Sequence, residues 1–153
     1  MEIRMNSDFR YYLLEAFLNA HEGIRYTKPD FEDEIHEFHR VDNHFNIDMH
    51  HIKSAYEKAK AEPLTKNITD RLENTDANDD TLTIANSKQR LAKYGRSASR
   101  QRYAAYQFKN KKVETPIILH HKESNTYHLV AGNTRLMYAK LHKITPMVHV
   151  VHI

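Results

Sequence analysis

Four consecutive residues, Gly132, Asn133, Thr134 and Arg135, combine the groups that hold a phosphate. Glycine lets the chain turn sharply and approach a ligand closely, and Asn133 or Thr134 can cap a helix start and offer amide or hydroxyl hydrogen bonds. Unpaired N–H groups at a helix start attract anions, and the Arg135 guanidinium can grip phosphate through two parallel hydrogen bonds. The same tetrapeptide also suits a capped helix whose arginine makes a surface ion pair.

Transfer of that phosphate would need a base for an acceptor hydroxyl and usually a magnesium ion held by carboxylates. The C-terminal part offers as acids only Glu114 and Glu123. His120, His128 and Glu114 are therefore the candidate bases beside Arg135, set against core packing for the histidines and a solvated strand end for Glu114. No paired carboxylate motif for two metals is present, and the shortage of acids favours binding over a self-contained kinase or nuclease. His36, His39, His44, His50 and His51 lie close together, with His36 and His39 at an i, i+3 step beside Glu32. A bound Zn2+ would suit that arrangement, but without H-E-x-x-H spacing they read as ordinary surface or partly buried histidines, and no metal is assigned to them.

A second chemistry-bearing stretch is basic. Residues 87–112 hold Lys88, Arg90, Lys93, Arg96, Arg100, Arg102, Lys109, Lys111 and Lys112 without one acid, interleaved with Tyr94, Tyr103, Tyr106 and Phe108. A solvated helix face over an aromatic core is one reading. A surface that neutralises nucleic-acid phosphates while tyrosines stack on bases is the other, and the missing acids favour it.

Apolar periodicity supplies the elements that position these groups. Phe9, Tyr12, Leu13, Ala16, Phe17 and Ala20 predict a helix over 7–21, ended by Gly23. Acids crowd the start of a second helix over 30–39, where they suit the positive end of its dipole. A third runs over 48–62 and is limited by Pro63. Residues 64–80 read as a polar linker, 81–84 as a short strand, and 100–108 as a helix. Then follow a strand at 117–121, a polar turn, a returning strand at 127–130, the Gly132 junction, a helix through Leu141 and a final strand at 147–153. The order is strand, strand, helix, strand.

The run Thr115-Pro116-Ile117-Ile118-Leu119, then Tyr127 to Leu136 with Gly132 and Arg135, then Ile144-Thr145-Pro146-Met147-Val148 resembles the ParB/sulfiredoxin superfamily. There a "PI-x-V" strand, a hairpin, a "G-x-x-R" turn-helix and a "P-x-x-V" strand follow in this order. The match covers about 115–151, and a looser one reaches back to about 81. The resemblance implies a nucleotide-phosphate pocket, with ATP or CTP as ligand and Mg2+ as companion ion. ParB-like proteins bind CTP and DNA, sulfiredoxins use ATP with a catalytic cysteine, and free-serine kinases transfer phosphate to a hydroxyl. Sulfiredoxin chemistry is excluded, because the chain has no Cys. Asn133 and Thr134 stand where the relatives carry His or Glu before the Arg, which leaves nucleotide and reaction open. The G-N-T-R-L form looks like that of small proteins of tailed bacteriophages.

Composition bounds the rest. Among 153 residues, no apolar run approaches the roughly 20 a membrane helix needs, and no basic-then-apolar leader is seen. A cytoplasmic protein of a bacterium or phage-infected cell is expected, without membrane contact. The formal charge of +3 hides a split: residues 1–87 hold 10 Lys/Arg and 18 Asp/Glu, a net of −8, whereas 88–153 hold 13 and 2, a net of +11. That polarity suggests a polyanion partner for the C-terminal part.

The expectation is an α+β protein with an all-helical acidic segment over 1–80 and a basic ParB/sulfiredoxin-like domain with a small mixed sheet over 81–153. Its function would be nucleotide or nucleic-acid binding at Gly132, Asn133, Thr134 and Arg135. The alternatives are a nucleotide-dependent phosphotransferase or nucleic-acid-processing enzyme using the same pocket, and an interaction protein acting on a host factor. A homo-oligomer is compatible with all three.

Overall fold

The computed structural model describes residues 23–73 and 98–153. In chain order the elements are β1 (Arg25–Thr27), a 3-10 helix (Phe31–Glu34) leading into α1 (Ile35–Phe45), α2 (Met49–Lys58), β2 (Ala61–Pro63), α3 (Lys66–Arg71), β3 (Leu72–Glu73), α4 (Ala98–Lys109), β4 (Lys112–Glu114), β5 (Ile117–His121), β6 (Thr126–Ala131), α5 (Asn133–Leu141) and β7 (Met147–His152). The architecture is mixed α+β.

Strands β2, β7, β5, β6 and β3 form one sheet in that order. The hairpin β5–β6 is antiparallel, and α5 carries the chain from β6 across to β7, which lies parallel to β5. Short β2 pairs antiparallel with β7, and β3 parallel with β6. Apart from this sheet, β1 and β4 make a parallel pair.

Successive strand residues point to opposite faces, so both faces need covering. Ile117, Leu119, Val130 and Val151 pack under Phe31, Phe38, Val41, Ile52 and Tyr56 from the N-terminal helices. Ile118, Leu129, Val148 and Val150 pack on the other face with Leu136 and Met137 of α5 and with Ile68 and Leu72. The result is helix, sheet, helix. A smaller cluster of Phe108, Val113 and Ala139 fastens α4 to α5 and β4, with Phe108 stacked on Tyr138 at 5.0 Å.

Local chemistry sets the helix limits. Asp48 caps α2 by accepting from the His50 N–H at 3.2 Å, and Thr65 caps α3 by accepting from the Ile68 N–H at 3.3 Å. At the far end of α2, the Lys28 ammonium donates to the carbonyls of Tyr56, Glu57 and Ala59, where the helix dipole is negative. Tyr56 donates its hydroxyl proton to the Pro29 carbonyl, which ties the strap before α1 to α2.

The N-terminal part is not all-helical. The expected helix over 48–62 stops at Lys58, and Ala61–Pro63 forms β2 at the sheet edge, where a proline without an N–H is tolerated. Within the expected linker, residues 66–73 form α3 and β3. Two- and three-residue strands show no periodicity of their own; they are extended because β7 and β6 supply their partners. The helices expected over 30–39 and 100–108 are present with extended limits. The expected helix over 7–21, the strand at 81–84 and the boundary near residue 80 lie outside the described residues. On either side of that boundary, 23–73 and 98–153 share one sheet and its two cores. Among the described residues no helix is long and apolar enough to cross a membrane.

Candidate phosphate site at the start of α5

Strand β6 ends at buried Ala131 and the chain turns at Gly132, which has φ +95° and ψ 23°. A Cβ there would stand 2.8 Å from both Cα and Cβ of Pro116, and 3.2 Å from Nη2 of Arg135. Only glycine fits a left-handed turn pressed against the strap that enters β5. The Gly132 carbonyl accepts from the Leu136 N–H at 2.9 Å and so opens the first turn of α5.

Gly132 itself is the cap residue, and no side chain caps α5. Asn133 and Thr134 were expected to do so; both fall inside the helix, past the position from which a side chain reaches back to the first N–H groups. Among the described residues Asn133 Oδ1 has no hydrogen-bond partner, although it is buried.

Above this turn lies a cavity of about 500 Å3, lined by Glu34, Glu37, Tyr103, Ala104, Glu114 and the run Ala131 to Arg135. Arg135, whose side chain is 12% exposed, donates from Nη1 to Glu114 Oε2 at 2.9 Å. Glu37 pairs with Arg40. Burial raises the Glu34 carboxyl above its ordinary pKa; nearby Arg135 draws it down, and Glu114 and Asp33 push it up again.

Five of the expected site residues therefore meet in one place: Gly132, Asn133, Thr134, Arg135 and Glu114. His128 and His120 do not join them, which corrects their assignment as bases. His128 is four residues back along β6 from Gly132, about 13 Å at strand rise. It is buried against Phe45 at 4.5 Å, with Nε2 2.8 Å from Thr126 Oγ1 and Nδ1 3.4 Å from Glu73 Oε2. Burial, with His44 and His121 nearby, lowers its pKa to about 4. His120 points to the other face, stacked on Tyr127 at 4.4 Å, with Nδ1 2.9 Å from His152 Nδ1 and Nε2 2.9 Å from Asn125 Oδ1.

Of the expected basic surface, Lys88, Arg90, Lys93 and Arg96 lie outside the described residues. Arg100 lies within α4, and Arg102, Lys109, Lys111 and Lys112 are exposed along α4 and β4. Among the described residues no group of three or more His, Asp or Glu is placed to hold a metal ion.

Glu34 and Glu37 are the site residues that sequence reasoning missed. Their i, i+3 spacing puts them on one helix face, a legible signal, but the acids were assigned to the helix dipole. A buried pair was also missed: Thr115 Oγ1 lies 2.5 Å from His149 Nδ1 beside Pro116, and burial with nearby Lys28 lowers the His149 pKa to about 4. No protein-family model, curated protein or solved structure matches the chain.

Proposed function

We propose that the chain is a nucleotide- and nucleic-acid-binding protein of ParB/sulfiredoxin-like type that seats a phosphate at the start of α5. The observation that carries this reading is the Arg135 guanidinium, held by Glu114 close beside side-chain-free Gly132 in the lining of the cavity. The N–H groups of a helix start and a guanidinium are the donors that would hold an anion there. Glu114 keeps the guanidinium in position through Nη1, and an arriving phosphate would compete for that nitrogen or take the others.

Three carboxylates line the cavity, so a bare triphosphate such as ATP or CTP would meet repulsion. A magnesium–nucleotide complex fits better, because Mg2+ accepts one or two carboxylates alongside phosphate oxygens and water. Among the described residues no three carboxylates are placed to hold an ion together, so one or two of Glu34, Glu37 and Glu114 would face it.

Thermal-shift titration with ATP, CTP and GTP, with and without Mg2+, tests the reading. One nucleotide should raise the melting temperature in a dose-dependent way, and Arg135→Ala should abolish the shift. No response from any nucleotide at millimolar concentration would refute nucleotide binding. Oligonucleotide affinity, tested separately, should fall steeply between low and moderate salt.

A second reading, phosphotransfer, is favoured by Glu34. This half-buried carboxylate of raised proton affinity shares the cavity with Arg135. It would accept the proton of an acceptor hydroxyl whose oxygen attacks the terminal phosphorus, and the nucleoside diphosphate would leave. Nucleoside diphosphate release that depends on an added alcohol and is lost in Glu34→Gln would select it. Binding without turnover returns the case to the first reading.

A further inference from the structure

We infer that the outer face of α4 is a stacking platform for single-stranded nucleic acid, an extension that rests on the nucleic-acid part of the reading above. The helix buries Ala104, Gln107 and Phe108 inward, with Gln107 Oε1 accepting from the Glu114 N–H at 3.0 Å. Outward it presents Tyr103 and Tyr106, 56% and 62% exposed. Among the described residues these are the exposed large hydrophobic side chains. Three residues apart on a helix, they are neighbours with Cβ atoms about 5–6 Å apart.

Charge decides what kind of partner fits. Arg102 and Lys109 are exposed on the same face, and residues 87–112 carry nine Lys/Arg and no acid. A polyanion is the complement of that composition, and flat rings beside cations suit a polyanion that also offers flat faces. Nucleic acid is that polymer, and it exposes base faces only when single-stranded, because a duplex stacks them on one another. Tyr103 belongs to both surfaces: it stands on the outer face of α4 and lines the cavity that holds Arg135.

Fluorescence anisotropy of the full chain with a labelled 12-nucleotide oligothymidylate tests this, beside the matching duplex and an abasic strand of equal length. The thymidine strand should bind more tightly than the duplex and the abasic strand. Tyr103→Ala and Tyr106→Ala should each weaken it by roughly tenfold, and Tyr→Phe at either position should restore it. Both rings are exposed, so the alanine variants should keep the wild-type melting temperature. Equal affinity for the abasic strand, a preference for duplex, or insensitivity to both alanine variants overturns the platform while leaving salt-dependent nucleic-acid binding standing. No binding of any oligonucleotide refutes both. Tyrosine-dependent self-association without oligonucleotide binding overturns the platform in favour of a second copy of the chain.

Discussion

Gly132 shows how much one residue can carry. Its φ of +95° costs a residue with a side chain about 1–2 kcal/mol, and the contact at 2.8 Å is with the Cα and Cβ of Pro116, which cannot swing aside as a flexible side chain would. Gly132→Ala should therefore lower stability by about 2 kcal/mol or more in urea denaturation and weaken any ligand held at α5. An unchanged midpoint would mean that the Pro116 strap yields. The tetrapeptide was legible as a phosphate-type turn, and so was the role of its glycine. The Arg135–Glu114 pair was not, because 21 residues and two strands separate its members. Nor was the buried Asn133 Oδ1, since burial is a property of the assembled site.

At the scale of elements, two histidines buried on the strands of the sheet should give the molecule a pH response. Phe45 of α1 lies over His128, and His149 is buried beside Thr115. Both rings are held near pKa 4 against an ordinary value of 6.5, so folding favours their neutral forms. Their stabilising effect is complete above about pH 6.5 and is lost as the pH falls toward 4, because the unfolded chain binds the protons more readily. The loss is on the order of 3 kcal/mol per ring at most. Urea midpoints should fall between pH 7 and pH 4.5, and the double variant His128→Gln/His149→Gln should show a flatter slope. Parallel slopes for the two proteins would place the response on other groups. Strands β5, β6 and β7 and helix α5 were readable from apolar runs and a glycine junction. Strands β2 and β3 were not, because Ala61–Pro63 and Leu72–Glu73 become extended only by pairing with β7 and β6.

For the whole molecule, the charge split along the chain does not divide the fold. The acidic N-terminal half supplies the layer that covers Ile117, Leu119, Val130 and Val151, and it brings Glu34 and Glu37 to the cavity beside Arg135. Residues 81–153 alone would expose that sheet face and lose both edge strands. The isolated segment should show no cooperative thermal transition by circular dichroism and should bind a hydrophobic dye. A sharp cooperative melt would show that the C-terminal core is self-sufficient.

The sequence by itself determined the local pieces: the β5–β6 hairpin, the glycine turn into α5, the returning β7 strand and the basic, tyrosine-bearing stretch of α4. Each is encoded by neighbours a few residues apart, through period, caps and backbone freedom. Only the tertiary structure decided which of these pieces share a site. It turned His120 and His128 away from Gly132 along their strands and brought Glu34 and Glu37 in from the other half of the chain. The reason is physical: a cavity is made by elements distant in sequence, and which side chains meet there follows from how both faces of the sheet are covered.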